Sequence, residues 1–170
     1  MPSPADTTPA ELLYPDLEEE LASTRKMIAL VPDGHDDFKP HAKSMALGDL
    51  ATHLAELPTF ATTILTTNEL DWAATPWERK VVTKTAERLE MFDRNAKEMT
   101  SGITGADWNA LGEKWTMRAG EQVYFSEPKA KLLRSFTLSH MAHHRAQLGV
   151  YLRLLGLAIP GPYGPSADEM

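Results

Sequence analysis

The chain has 170 residues, no cysteine and a formal net charge of −7; that length suits one domain with a real hydrophobic core, and the absence of thiols excludes a disulfide framework, thiolate metal ligands and a cysteine nucleophile. The acidic balance argues against a phosphate-binding surface and so against a nucleic-acid partner. The start of the chain has no basic segment followed by an apolar run, and no later apolar stretch nears the roughly 20 residues that cross a bilayer, so the expectation is a soluble, cytoplasmic protein with no membrane partner.

Residues 1–10, rich in Pro, Ser and Thr, are expected to form a loose arm. A first helix is predicted from about Pro15, with Asp16 and Glu18 to Glu20 in acidic first turns. Leu17, Leu21, Thr24 and Ile28 face a core before Pro32-Asp33-Gly34 stops it. A polar connection follows, and Ser44 is a plausible cap for a second helix to about Thr67, with the stripe Leu47, Leu50, Leu54, Leu57, Ala61, Ile64. Thr75-Pro76-Trp77-Glu78 has capping-box spacing and predicts a third helix, with Val82, Thr85, Leu89, Phe92 and Ala96 inward. Gly102 and Gly105 break the next stretch, leaving room for a short turn over 106–111. Residues 114–125 carry β-branched and aromatic residues on either side of Ala119-Gly120, which predicts a small hairpin. A fourth helix is predicted from about Ser126 and Pro128 to Gly156, with Pro160 beyond it. Four long amphipathic helices with one hairpin excursion before the last predict an all-α, antiparallel four-helix bundle over 1–170, with 157–170 as an extended tail.

The chemistry gathers on histidine. In Ser139-His140-Met141-Ala142-His143-His144-Arg145-Ala146-Gln147-Leu148, His140 and His144 are four apart, so a helix sets them about 40° apart on one face, within bridging distance of one cation. The glutamate that follows the first histidine in His-Glu-x-x-His proteases is missing, which removes that enzyme's general base. The same step places Leu133, Phe136, Gln147, Tyr151 and Leu154 within about 40° of His140, so the pair lies on a core-facing stripe. Around His53 it gathers Ala46, Asp49, Leu50, Leu57, Phe60 and Ile64, again an apolar face. Three inward imidazoles without partners would cost about 1 to 3 kcal/mol each, and a shared metal accounts for them, against the plainer reading of hydrogen-bonded core histidines. His143, at the shoulder, either orients a ligand or faces solvent, and His35 and His41 fall in the polar connection.

The stretch Lys39-Pro40-His41-Ala42-Lys43-Ser44-Met45-Ala46-Leu47-Gly48-Asp49-Leu50-Ala51-Thr52-His53-Leu54 and the segment His140 to Leu148 resemble the two signature regions of the DinB/YfiT-like metalloprotein superfamily. The end of the chain, Tyr151 to Gly156 and Tyr163 to Asp168, is similar as well. The family pattern is His-x-x-x-His-Arg-Gly-Gln, and Ala146 stands here where its glycine usually sits. The resemblance implies a four-helix bundle, a homodimer, and one divalent ion held by a histidine triad, carried over to His53, His140 and His144.

Three neutral imidazoles leave a coordination position open, the arrangement of a catalytic site. An ion there could acidify water for hydrolysis or a thiol for attack on an electrophile. The resemblance implies relatives of both kinds, and thiol S-transfer leads because a chain without cysteine would take its nucleophile from a low-molecular-weight thiol such as bacillithiol, mycothiol or glutathione. A metal-dependent hydrolase, and a non-catalytic small-ligand-binding or stress-response module, are the alternatives. Imidazole suits zinc, nickel, iron and copper alike, so ligand type decides the ion only weakly; Zn or Ni is the expectation, with Fe or Mn also open. Asp49 and Glu56 are acid–base or orienting candidates beside His53, Gln147 is a pocket candidate, and Arg145, about 140° from His140, should point away towards an acidic neighbour or the tail. Tyr151 reads as packing, the four tryptophans as covers for a bundle end, and the tail from Tyr163 to Asp168 as a lock or dimer contact.

Overall fold

A capping box sets the first helix of the computed structural model, which describes residues 7–75 and 80–170. The Thr8 hydroxyl accepts from the Glu11 amide and the Glu11 carboxylate accepts from the Thr8 amide, with Pro9 in the first turn, so α1 spans Pro9–Leu13. The end of the expected loose arm is therefore helical. The pattern Thr-Pro-x-Glu that carries it is the one read at Thr75 to Glu78, a start signal that lies from Pro76 onward outside the described residues. α2 spans Leu17–Ala29 and buries Leu17, Leu21, Thr24 and Ile28 as expected.

The expected helix from Ser44 to Thr67 forms as two pieces, α3 Leu47–Glu56 and α4 Pro58–Thr66. Leu57 keeps helical dihedrals (φ −51°, ψ −37°), but Pro58 has no N–H and removes one rung of the ladder. The stripe Leu47, Leu50, Leu54, Leu57, Ala61, Ile64 is wholly buried. α5, Thr85–Gly105, starts later than expected, and the described residues 80–84 are not helical. Gly102 does not break it: a Cβ there would meet Leu65 Cδ1 at 2.9 Å, so the glycine lets α5 approach α4 closely. Its buried residues are Arg88, Met91, Phe92, Asn95, Met99 and Ile103; of the expected stripe Phe92 is among them, while Val82, Leu89 and Ala96 pack against the core partly buried. Polar side chains account for the offset. Arg88 is buried against Asp36 and the Val82 carbonyl, and Asn95 donates to the Ala55 carbonyl at 2.9 Å.

After α6, Trp108–Gly112, capped by Asp107, the predicted hairpin forms as β2 Lys114–Ala119 and β3 Gln122–Pro128, turning at Gly120. A third strand, β1 Glu69–Asp71, pairs parallel to β2, and Arg118 holds it through Glu69 at 2.7 Å and Asp71 at 3.1 Å. Three residues are too few to show alternation. The fold is thus mostly helical with a small three-stranded sheet, in which β1 adds a strand to the expected hairpin.

The predicted last helix runs as α7 Lys129–Leu132, a π-helical segment Leu133–Leu138, and α8 Ser139–Leu154. α8 ends where Gly156 was read as its stop. Gly156 takes φ +78° and donates to the Arg153 carbonyl, while Leu157 donates to the Leu152 carbonyl, the paired bonds of a Schellman end that favours glycine. The tail beyond folds back: Asp168 bonds Arg153 at 2.7 Å and the Ile159 amide at 2.9 Å, and the Tyr163 hydroxyl meets Arg145 at 2.6 Å. Among the described residues no helix is long and apolar enough to cross a membrane.

Candidate metal centre

α3 and α8 pack side by side and bring His53, His140 and His144 to one point. One nitrogen from each ring lies within 4.8 Å of the others, and all three side chains are half-buried. The ring centroids of His53 lie 5.3 Å from His140 and 4.7 Å from His144. His140 and His144, one turn apart on α8, face each other Nε2 to Nε2 at 2.9 Å. These are the three residues that helical phase and the family resemblance had selected.

The donor set suits a divalent cation. At a metal–nitrogen distance of about 2.0 to 2.1 Å, adjacent ligands sit roughly 2.9 to 3.4 Å apart, so the His140–His144 spacing is already that of two ligands. The His144 Nδ1 lies 2.7 Å from the Gln147 Oε1 and donates to it, which leaves the lone pair of His144 on Nε2, facing His140. His140 Nδ1 is buried without a well-formed hydrogen bond among the described residues.

Electrostatics keep the rings neutral. Burial, and then the neighbouring His144 and His140, push His53 down to about 4. Burial is also the first cause of the lowered values of His140 and His144, opposed by the Phe136 carbonyl for His140 and by Gln147 for His144. Neutral imidazole is the ligating form. In the unfolded chain these groups titrate near 6.5, so on acidification the unfolded state binds protons first. Stability of the metal-free protein is therefore full above about pH 6.5 and drains as pH falls towards 4. His53 alone accounts for about 2 kcal/mol of loss by pH 5. Urea unfolding at pH 7.5 and pH 5 measures this loss, and His53→Leu should flatten the slope by about that amount; an unchanged slope contradicts it.

The remaining predicted residues divide. Gln147 touches the triad through His144, and its role as an orienting group has a direct test. Gln147→Leu should weaken metal affinity about 10- to 100-fold by releasing the His144 tautomer, while Gln147→Glu, which keeps an acceptor, should retain it. Competition against a chromophoric chelator reads both, and wild-type affinity in Gln147→Leu counts against the role. His143 is exposed, with its ring 4.9 Å from that of His144. Glu56 is buried, its carboxyl pushed up by burial, and it pairs with Lys80 at 3.5 Å rather than with an imidazole. Asp49 is half-buried and lines a polar recess with Asp36, Thr52 and Lys80. Arg145 points away from the triad, as expected, and meets both an acidic neighbour, Glu20, and the tail at Tyr163. Tyr151 packs, its hydroxyl donating to the Met45 carbonyl.

Sequence reading found only part of the aromatic set beside His140. Phe136 lies 5.6 Å from it by ring centroids, Phe60 and Phe125 lie 5.1 and 5.4 Å from Phe136, and Trp72 and Trp115 extend the set at 6.5 Å from Phe60 and 6.2 Å from Phe125. Only Phe136 and Phe60 were flagged by helical phase. Trp72, Trp115 and Phe125 come from strands and a turn whose placement no local pattern gives, and Trp77 lies outside the described residues.

Helices that bring three imidazoles to one point define a class: a mostly helical protein with a histidine triad that could hold a metal ion. The chain belongs to the DinB family, whose model matches residues 1–170. It is similar to the Bacillus subtilis (strain 168) protein YrdA, itself described as uncharacterized, at 39% identity over 64 residues, which cover 35% of this chain and 38% of that one. The match thus spans well under half of that relative's length. Two solved structures share the fold. A DinB-like protein (YjoA) from Bacillus subtilis matches with a TM-score of 0.67 and 16% identity over 89% of this chain and 97% of its own. A DinB-like protein from Bacillus cereus ATCC 10987 gives 0.65 and 20%, over 89% and 95%.

Proposed function

We propose that this DinB family chain is a metal-dependent enzyme that transfers a low-molecular-weight thiol to an electrophile, with one divalent ion, Zn or Ni, held by His53, His140 and His144. Its frame is read as a four-helix bundle whose rods are α2, the α3–α4 pair, α5, and the run from α7 to α8. The observation that carries the proposal is the convergence of three imidazole nitrogens with no anionic ligand among them. Neutral ligands leave the ion its full charge, and a bound ion supplies the Lewis acidity that lowers the pKa of an incoming thiol.

The protein's own groups do the rest. The three histidines stay neutral at physiological pH because burial opposes their protonation, so they compete little for the thiol's proton. Gln147 holds His144 in one tautomer. Phe136 sets hydrocarbon beside His140, and Phe60 packs behind Phe136. In the reaction a sulfur–carbon bond forms, the bond from that carbon to its leaving group breaks, the leaving group departs with the electron pair, and the thiol proton passes to solvent.

The test is turnover. Purified protein loaded with Zn or Ni, given glutathione or bacillithiol and 1-chloro-2,4-dinitrobenzene, should conjugate the two, and EDTA should abolish the reaction. Metal-dependent ester hydrolysis without added thiol would instead support a hydrolase. Binding of the ion with neither reaction would overturn catalysis in favour of a ligand-binding module.

A further inference from the structure

We infer that the substrate entering this site carries an aromatic or similarly flat apolar group, seated on the wall of rings that begins one turn before His140; this rests on the metal-centre reading above. Five rings from separate segments meet there: Phe60 from α4, Trp72 from the turn after β1, Trp115 from β2, Phe125 from β3 and Phe136 from the π-helical segment. Trp115 backs the wall. It is fully buried, and its indole N–H donates to the Thr67 hydroxyl at 2.9 Å.

The other four differ from ordinary core rings. Phe92 shows that this fold can bury a phenylalanine almost completely, at 1% exposed. Phe60, Trp72, Phe125 and Phe136 are all left partly uncovered. Four contiguous, incompletely covered rings forgo part of the burial that large apolar side chains otherwise gain, and they do so beside a candidate ligand histidine. Their geometry suits a further ring. Phe60 meets Phe136 and Trp72 edge to face, at 75° and 69°, the packing that aromatic groups prefer.

Charge points the same way. Among the described residues the cations that lie over aromatic rings are Arg134 on Tyr14 and Arg145 on Tyr163, neither of them a ring of the wall. The wall itself is hydrocarbon, so it would select an aromatic body over a phosphate or a sugar. A group tethered to the sulfur or electrophile at the triad would reach Phe136 first, because its ring is 5.6 Å from that of His140.

Cobalt-substituted protein tests this by binding alone. Co(II) at a nitrogen site gives visible bands that shift when a thiolate joins, so benzyl mercaptan and 2-mercaptoethanol can each be titrated spectroscopically. Wild type should bind the benzyl thiol about tenfold more tightly, as expected for one added aromatic contact. Phe136→Leu, and independently Phe60→Leu, should bring that ratio to within about threefold while one equivalent of cobalt remains bound. Circular dichroism checks each fold, and two variants on different elements keep the result readable if one unfolds. Equal affinities in wild type, or a preference unchanged in both variants, overturn the inference. A protein that gives no cobalt bands at all overturns the metal centre, and the inference falls with it; a centre that binds both thiols alike leaves the metal reading standing and sinks only the wall.

Discussion

Alanine at His53, His140 or His144 is expected to abolish stoichiometric metal binding. Each substitution leaves two imidazoles, and the loss of a direct ligand should exceed the 10- to 100-fold cost of losing an outer partner. The effect reaches stability through linkage. At about 100 times its dissociation constant, an ion that binds only the folded state adds about 2.7 kcal/mol, which for a chain of this length raises Tm by roughly 5 to 10 °C. Zinc should therefore raise the Tm of wild type by that amount and leave each alanine variant unmoved. Elemental analysis beside the thermal scans gives a second reading. One equivalent of metal retained in all three variants, with the zinc shift intact, would remove the triad from consideration. The arrangement makes the three substitutions nearly equivalent, because the rings form a closed triangle with centroids 4.7 to 5.3 Å apart.

Why this triangle could be read in the sequence, while much around it could not, follows from the range of each signal. His140 and His144 share a face through the helix repeat alone, and His53 shares a face with Leu50 and Leu57 through the same repeat, so local phase pointed all three inward. Pairing α3 with α8 required the family pattern, since helical phase says which side is inward but not which neighbour is met there. The buried stripes of α2 and of α3 with α4 were legible for the same reason. The face of α5 was legible only in part, through Phe92, Leu89 and Ala96. Arg88 and Asn95 occupy core positions because Asp36 and the Ala55 carbonyl lie opposite, and partners 52 and 40 residues away leave no mark on local hydropathy. β1 is three residues long and is held by Arg118 and by β2, both distant in sequence. The π-helical turn carries neither proline nor glycine. It stands directly before α8, where insertions of this kind often occur at functional sites, and it carries Phe136.

Arg145→Ala is expected to be the most destabilising single change outside the core hydrocarbon, at about 3 to 5 kcal/mol. The side chain is 3% exposed, and its partner Glu20 is 7% exposed. One guanidinium nitrogen donates to the Glu20 carbonyl at 3.0 Å and to the Thr24 hydroxyl at 3.1 Å. The other lies 2.9 Å from the Glu20 carboxylate and donates to the Tyr163 hydroxyl at 2.6 Å. Three segments, α2, α8 and the tail, thus meet on one cation. Removing it strands a carboxylate in a site too dry to solvate it, which is why the cost of breaking such a pair exceeds the net worth of the pair. A double-mutant cycle separates the two: Arg145→Ala with Glu20→Ala should cost less than the sum of the single changes, and additive costs would mean that the charges do not couple. Arg145→Lys should recover only part of the loss, since a single ammonium cannot reproduce a planar fork that serves three acceptors and an ion pair. The consequence reaches the triad. Arg145 follows His144 directly and points to the opposite side of α8, so it fixes the rotation of that helix about its axis, and with it the direction in which His140 and His144 face. Arg145→Ala should accordingly lower metal affinity even at temperatures where the variant is folded. Chelator competition measured well below its Tm would show this coupling, and wild-type affinity in the folded variant would confine the role of Arg145 to stability.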